Sequence, residues 1–302
     1  MPFTSDASGA SDSGANIYYE TLGDPRGEPV VFVEGLSAQL IAWHEDFCKL
    51  FTDQGRFVVR HDNRDVGLSQ RFDPAPSDDG TPAADGYLLA DMADDTVRVL
   101  DALGLTSAHI VGQSMGGMIA QALALNHPDR VRSLTLFYTS PTPAGTEHFV
   151  DDPELRALRD AQPPTGRAEF AAHFAASERA SGGGSRYVHD ESWLRELGDR
   201  YHRRGHSQAG VERQMDAILR SEPWADRLKE IRVPTAVVHG RDDRLIRPEA
   251  SLAIAEAVPH SELHLYAGMG HSVVRPLWRE YAEVILRVQS QARERETEPA
   301  GR

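Results

Sequence analysis

Short β-branched runs alternate with amphipathic helical patterns from Asn16 to Tyr138, and this alternation narrows the possible folds more than any other property of the chain. Ile17-Tyr18-Tyr19-Glu20-Thr21 alternates like an exposed strand. Val30-Val31-Phe32-Val33 is a continuous apolar run, which suits a strand covered on both faces. Phe57-Val58-Val59-Arg60, Ala108-His109-Ile110-Val111 and Val131 to Tyr138 extend the series. Between Arg60 and Ala108, residues 88–103 place Leu89, Met92, Val97, Leu100 and Leu103 on one helical face. Strands separated by helices predict an α/β fold, a mostly parallel central sheet with helices on both faces.

The alternation stops at about Pro141 and resumes only after Leu228. Residues 141–228 hold several amphipathic helical patterns, broken at Pro163-Pro164 and Ser181 to Ser185, and no convincing strand. Then follow Thr235-Ala236-Val237-Val238, a helix opened by Pro248, the strand Glu262 to Tyr266 and a final helix from Pro276 to about Gln291. The expected organisation is therefore a core of residues 1–140 and 229–291, a helical insertion at 141–228 and a disordered charged tail at 292–302.

Composition limits the function. A net charge of −14 over 302 residues leaves no basic stripe for phosphates, so no nucleic-acid partner is expected. The single cysteine, Cys48, rules out an internal disulfide framework and reads as a small buried hydrophobe. The polar N-terminus shows no secretory pattern and no run is long enough to span a bilayer, so a cytoplasmic protein without membrane partner is expected, as monomer or homodimer. Neither G-x-x-x-x-G-K-[ST] nor a strand-linked G-x-G-x-x-G occurs, so no nucleotide cofactor is expected. His202 and His206 are spaced as metal ligands on a helix could be, but no Glu follows the first, and the pair reads as a solvated surface feature; no metal is expected.

The chemistry is concentrated at Gly112-Gln113-Ser114-Met115-Gly116, between the strand ending at Val111 and the helical run from Gly117. A serine at a sharp strand-to-helix turn takes a strained backbone, and glycines two before and two after it let strand and helix approach closely. A serine hydroxyl needs a base, itself oriented by a carboxylate. In this arrangement the chain order is serine, then acid, then histidine. Asp242 and Asp243 follow the strand at Thr235 to Val238, and His271 lies in the loop after the last strand.

These segments resemble the α/β-hydrolase superfamily, and within it the branch containing aclacinomycin methylesterase. The resemblance is carried by Gly35-Leu36-Ser37, Trp43 to Cys48, His61 to Ser69, the serine turn, Gly240 to Glu249 and Gly268 to His271, over about Ile17 to Val288. It implies an α/β-hydrolase fold with a helical cap inserted after the sixth strand. It implies a catalytic triad of Ser114, Asp243 and His271, with Asp243 rather than Asp242 in the family's register before Leu245-Ile246 and Pro248-Glu249. It also implies an oxyanion hole made by the backbone N–H groups of Leu36 and Met115. Two positions depart from the family pattern. Glu34 replaces histidine or an apolar residue before the loop glycine; it is expected either to pair with an arginine such as Arg64 or to face the pocket and attract a cationic substrate group such as an amino sugar. Asp65 replaces a glycine in the loop Asp62 to Ser69, for which a structural role is expected.

In the insertion, Phe170, His173, Phe174, Tyr187, Trp193 and Tyr201 are aromatic candidates for a substrate pocket, with Phe174, Tyr187 and Trp193 foremost, although aromatics at helical spacing more often build core. The expected activity is cofactor-independent hydrolysis of a small-molecule carboxylic ester, which the branch resemblance narrows to a methyl ester of a polyketide-type metabolite. Rival readings keep the triad but change the reaction (lyase, perhydrolase, acyl transferase or cyclase), or make the chain a ligand receptor on the same scaffold.

Overall fold

Alternate side chains of the β-branched runs feed two separate cores, one on each face of a sheet. A computed structural model of the protein describes residues 3–4, 14–72, 86–143, 146–161, 164–182, 186–187 and 189–297. Its strands are β1 (Tyr19–Leu22), β2 (Glu28–Val33), β3 (Arg56–His61), β4 (Ala108–Gln113), β5 (Val131–Phe137), β6 (Thr235–Gly240) and β7 (Glu262–Tyr266). They form one sheet in the order β1-β3-β2-β4-β5-β6-β7, in which β1 runs antiparallel and the rest run parallel. Helices α2 (Leu89–Ala102), α3 (Met115–Asn126) and α8 (Pro248–Ala257) cover one face, where Val31, Val33 and Ile110 point. Helices α1 (Glu45–Thr52) and α9 (Trp278–Thr297) cover the other, packing on Val30, Phe32 and Val111.

Between β5 and β6 the chain folds as helices α4 (Pro153–Asp160), α5 (Arg167–Ser181), α6 (Glu191–Arg204) and α7 (Gln208–Arg220). Pro163 and Gly183 to Ser185, the expected breaks, lie outside the described residues apart from Pro164 and the Ser181-Gly182 end of α5. The helices follow the fifth strand in chain order. A one-residue antiparallel bridge of Phe3 to Tyr18 precedes β1, and counting it as a vestigial first strand makes β5 the sixth. No described helix is long and apolar enough to cross a membrane.

The expected disorder from Ala292 onward is corrected. Helix α9 continues to Thr297, because Ala292 is itself buried, Arg293 pairs with Glu28 at 2.6 Å and Arg295 Nη1 donates to the carbonyl of Arg232 at 2.7 Å. Charge alone made this stretch look solvated. Residues 298–302 lie outside the described residues.

The crossing of β4 and α3 is tight. A Cβ on Gly116 would lie 2.5 Å from the carbonyl oxygen of Glu34 and closer still to that of Val33, and one on Gly112 would meet the Gly116 carbonyl carbon at 2.6 Å. These are backbone atoms at the centre of the sheet and cannot swing aside. Gly116→Ala is therefore expected to lower unfolding free energy by about 1–3 kcal/mol, read from urea titration of both proteins; an unchanged midpoint would show that α3 can move away from β2 freely.

Candidate active site

Parallel strands put their carboxyl ends on one edge, which is where open α/β sheets bind ligands. At this edge stand Glu34-Gly35-Leu36 after β2, Ser114 after β4, Tyr138 after β5, Asp243 after β6 and His271 after β7. Ser114 has φ 52° and ψ −121°, a left-handed conformation that costs a serine about 1–3 kcal/mol. Its backbone is pinned on both sides. Ser114 N donates to Phe137 O at 2.9 Å, while Ser114 O accepts from Gly117 N at 2.9 Å and from Thr139 Oγ1 at 2.7 Å.

His271 Nε2 lies 2.9 Å from Ser114 Oγ, and its Nδ1 lies 2.8 Å from Asp243 Oδ2. Asp243 is buried, which by itself pushes its carboxyl pKa up. The charge of His271 and hydrogen bonds from His239 and His271 outweigh that and hold it well below the usual carboxylate range. Its Oδ1 also accepts from Leu245 N at 2.8 Å and Ile246 N at 2.9 Å. An ionised Asp243 takes the Nδ1 proton of His271 as its hydrogen bond, which leaves Nε2 as the acceptor facing Ser114. Asp242, one residue earlier, is exposed and has no contact with His271.

Reasoning from sequence overlooked His239, inside β6. It is fully buried, its Nε2 lies 3.1 Å from Asp243 Oδ2 and 3.0 Å from Ile246 O, and its Nδ1 accepts from Ser251 at 2.6 Å. A histidine in an otherwise apolar strand, four residues before the acid, was the available signal. Tyr138 was also overlooked; its ring lies 4.4 Å from that of His271, centre to centre.

Leu36 and Met115 present backbone N–H groups with no hydrogen-bond acceptor among the described residues, and a Cβ on the intervening Gly35 would lie only 3.2 Å from Ser114 Cβ. The loop of β2 thus lies directly against the serine.

Glu34 departs from both expectations. Arg64 is occupied by Asp95, with Nε and Nη2 donating at 2.6 and 2.8 Å. The Glu34 carboxylate is fully buried and points inward, so it does not face a substrate. It accepts from Trp43 N at 3.2 Å and from Gln113 Nε2, and Gln113 in turn accepts from the Tyr138 hydroxyl. Burial pushes its pKa up to about 8; the bonds from Gln113 and from the Gly35 and Trp43 amides oppose this, and nearby Asp62 adds to it. A protonated Glu34 is equally well served, because the Gln113 amide can turn over to accept from it and donate to Tyr138.

The loop Asp62 to Ser69 ties the inserted helices to the core. Asp62 accepts from Leu40 N at 2.8 Å and from Arg204, and Asp65 accepts from Arg213 at 2.6 and 2.9 Å, Tyr87 Oη at 2.8 Å and Phe72 N at 2.8 Å. Gln214, fully buried, accepts from Ser37 N at 2.9 Å and donates to Arg64 O at 2.8 Å. Tyr201 accepts from Gln39 N at 3.0 Å.

Among the aromatic candidates, Phe170 and Tyr201 are buried core. Phe174 is half-buried on Tyr201, Trp193 is half-buried towards His44, and Tyr187 is half-buried under Arg186. None of these ring contacts is with Ser114, Asp243 or His271. His202 and His206 are not the solvated pair expected: their rings lie 5.4 and 5.2 Å from that of Phe170, because Gly205 ends α6 and turns His206 back.

The family profile described as the alpha/beta hydrolase fold matches residues 28–274. The chain is 35% identical over 120 residues to rhodomycin D methylesterase DauP of Streptomyces sp. (strain C5), a match spanning 40% of this chain and 38% of that relative. It is 32% identical over 234 residues to 2-hydroxymuconate semialdehyde hydrolase of Pseudomonas putida, 73% of this chain and 72% of the other. A solved structure described as Est816, an N-acyl homoserine lactone degrading enzyme, superposes with a TM-score of 0.67 at 26% identity, over 91% of this chain and 98% of that one.

The carboxyl of Glu34 makes a stability prediction. Its folded-state pKa of about 8 lies above the ordinary 4.5, so the folded protein holds a proton that the unfolded chain releases. Stability from this group is complete below pH 4.5 and is lost as pH rises towards 8, at up to about 1.4 kcal/mol per pH unit. Glu34→Gln removes the titration. Its unfolding free energy relative to the parent should climb between pH 5 and 8 and level off above; a pH-independent difference would show that Glu34 ionises normally.

Proposed function

The chain belongs to the α/β-hydrolase fold family, and we propose that within it this protein is a serine-dependent carboxylic ester hydrolase. One observation carries the reading: a serine on a strained turn, a histidine at 2.9 Å and a buried acid at 2.8 Å behind it. Ser114 Oγ attacks the ester carbonyl carbon while His271 Nε2 takes its proton. Asp243, acceptor for Nδ1, fixes the tautomer and stabilises the imidazolium that forms. The amides of Met115 and Leu36 receive the oxyanion of the tetrahedral intermediate, each a donor of a kind whose removal typically costs about 3–4 kcal/mol. His271 then protonates the departing alcohol. Water, activated by the same nitrogen, attacks the acyl-enzyme and frees Ser114.

The substrate class follows from chemistry and likeness together. The likeness to a rhodomycin D methylesterase favours a methyl ester of a polyketide-type or other small hydrophobic acid. The half-buried rings of Phe174 on α5, Trp193 on α6 and Tyr187 between them are the apolar surface assigned to its acyl part. No metal or cofactor is needed for any of these steps, and the protein works as a monomer or homodimer in the cytoplasm.

Ser114→Ala should lower kcat for a p-nitrophenyl ester by on the order of 10⁴-fold or more, with KM little changed. His239→Leu, which removes a donor to Asp243 without touching the substrate, should lower kcat/KM by about tenfold. A Ser114→Ala protein that kept the parent rate would sink the reading.

A further inference from the structure

Helix α5 carries an acid on its inward stripe. Phe174 packs on Tyr201 and Ala175 is fully buried; Glu178 follows four residues after the first and three after the second, so it shares their face. One turn further on, the carbonyls of Ser181 and Gly182 accept from His271 N and Gly270 N, each at 2.8 Å. The stripe that ends on the histidine loop therefore holds Glu178 above it. Its electrostatic neighbours are His271 from the loop after β7, Tyr138 at the end of β5 and Tyr201 from α6.

Glu178 is half-buried, yet its carboxylate has no side-chain hydrogen bond or ion pair among the described residues. Arg179, next along the helix, turns outward to Glu191. Burial pushes the Glu178 carboxyl up to about 7, and the charge of His271 pulls it partly back. A half-buried carboxylate with no partner among the described residues is one that a bound cation would stabilise.

We propose that Glu178 is a specificity-determining residue that receives a cationic group, a substituted ammonium, of the ester substrate. The proposal rests on the esterase reading of the same site. The ammonium supplies a counter-charge that, among the described residues, only His271 offers this carboxylate. Placed beside His271, the carboxylate selects substrates whose charge lies a few bonds from the ester.

The test compares two isosteric esters, methyl 4-(trimethylammonio)butanoate and methyl 5,5-dimethylhexanoate, on the parent protein, Glu178→Gln and Glu178→Asp. The ratio of kcat/KM for the cationic over the neutral ester should fall at least tenfold in Glu178→Gln and be largely retained in Glu178→Asp. In the parent it should rise with pH, with a midpoint near 7 that disappears in Glu178→Gln. An unchanged ratio in Glu178→Gln overturns the proposal. Choline binding, measured by calorimetry at pH 8, needs no turnover. If neither ester is hydrolysed, the esterase reading fails, and choline binding that Glu178→Gln abolishes keeps the cation site, whereas no binding by the parent removes it too.

Discussion

The left-handed turn at Ser114 is the constraint around which the rest of the site is arranged. A serine at φ 52° is held there only because its carbonyl and amide are both engaged and because α3 cannot draw away from β2. The same closeness serves a second purpose. With no side chain at Gly35, the loop of β2 comes against Ser114. Position in the sheet matters as much as local strain: β4 stands between β2 and β5, so the groups on both neighbouring strand ends flank the serine without any long loop.

Three carboxyls near this edge are buried or half-buried, and their differing fates follow from the donors each is given. Asp243 receives two backbone amides and two histidine nitrogens, and stays ionised against the cost of burial. Glu34 has only neutral donors and an acidic neighbour, Asp62, so burial wins. Glu178 has no donor among the described residues, and the charge of His271 alone opposes burial. Burial is the common term, and the count and charge of the donors decide the sign of the outcome. A single fold thus keeps one carboxylate charged beside His271 while withholding charge at another, next to the loop after β2.

What was legible in the sequence was local. The strand before Ser114, the helix after it and the glycines around it lie within a dozen residues, and β-branched runs with turn residues between them mark the sheet. The order of serine, acid and histidine could be matched to strand ends for the same reason. Glu34 was misread because its partners are set by packing: Gln113 is 79 residues away, and the expected Arg64 is drawn instead to Asp95 on α2. His239 looked like one more strand residue because the need for a donor at Asp243 arises only when β6 and the loop after β7 come together. The charged run after Gln291 looked solvated because, among its described residues, Ala292 is the apolar anchor, and Glu28, the partner of Arg293, lies towards the opposite end of the chain.

The same long-range logic accounts for Asp65, where the family pattern has glycine. Its φ of 72° explains why glycine suits the position, and aspartate tolerates that region better than most residues. Its carboxylate is then used in full, taking Arg213 from α7, the Tyr87 hydroxyl and the Phe72 amide. Beside it, Gln214 bridges Ser37 N to Arg64 O, and so joins the loop that carries Leu36 to the loop that carries Asp65. Consecutive residues of one inserted helix therefore hold both loops of the core in register. A change in α7 would reach the Leu36 amide through Ser37, one residue away. Through Arg213 and Gln214 the inserted helices thus help to hold the loops after β2 and β3 in place.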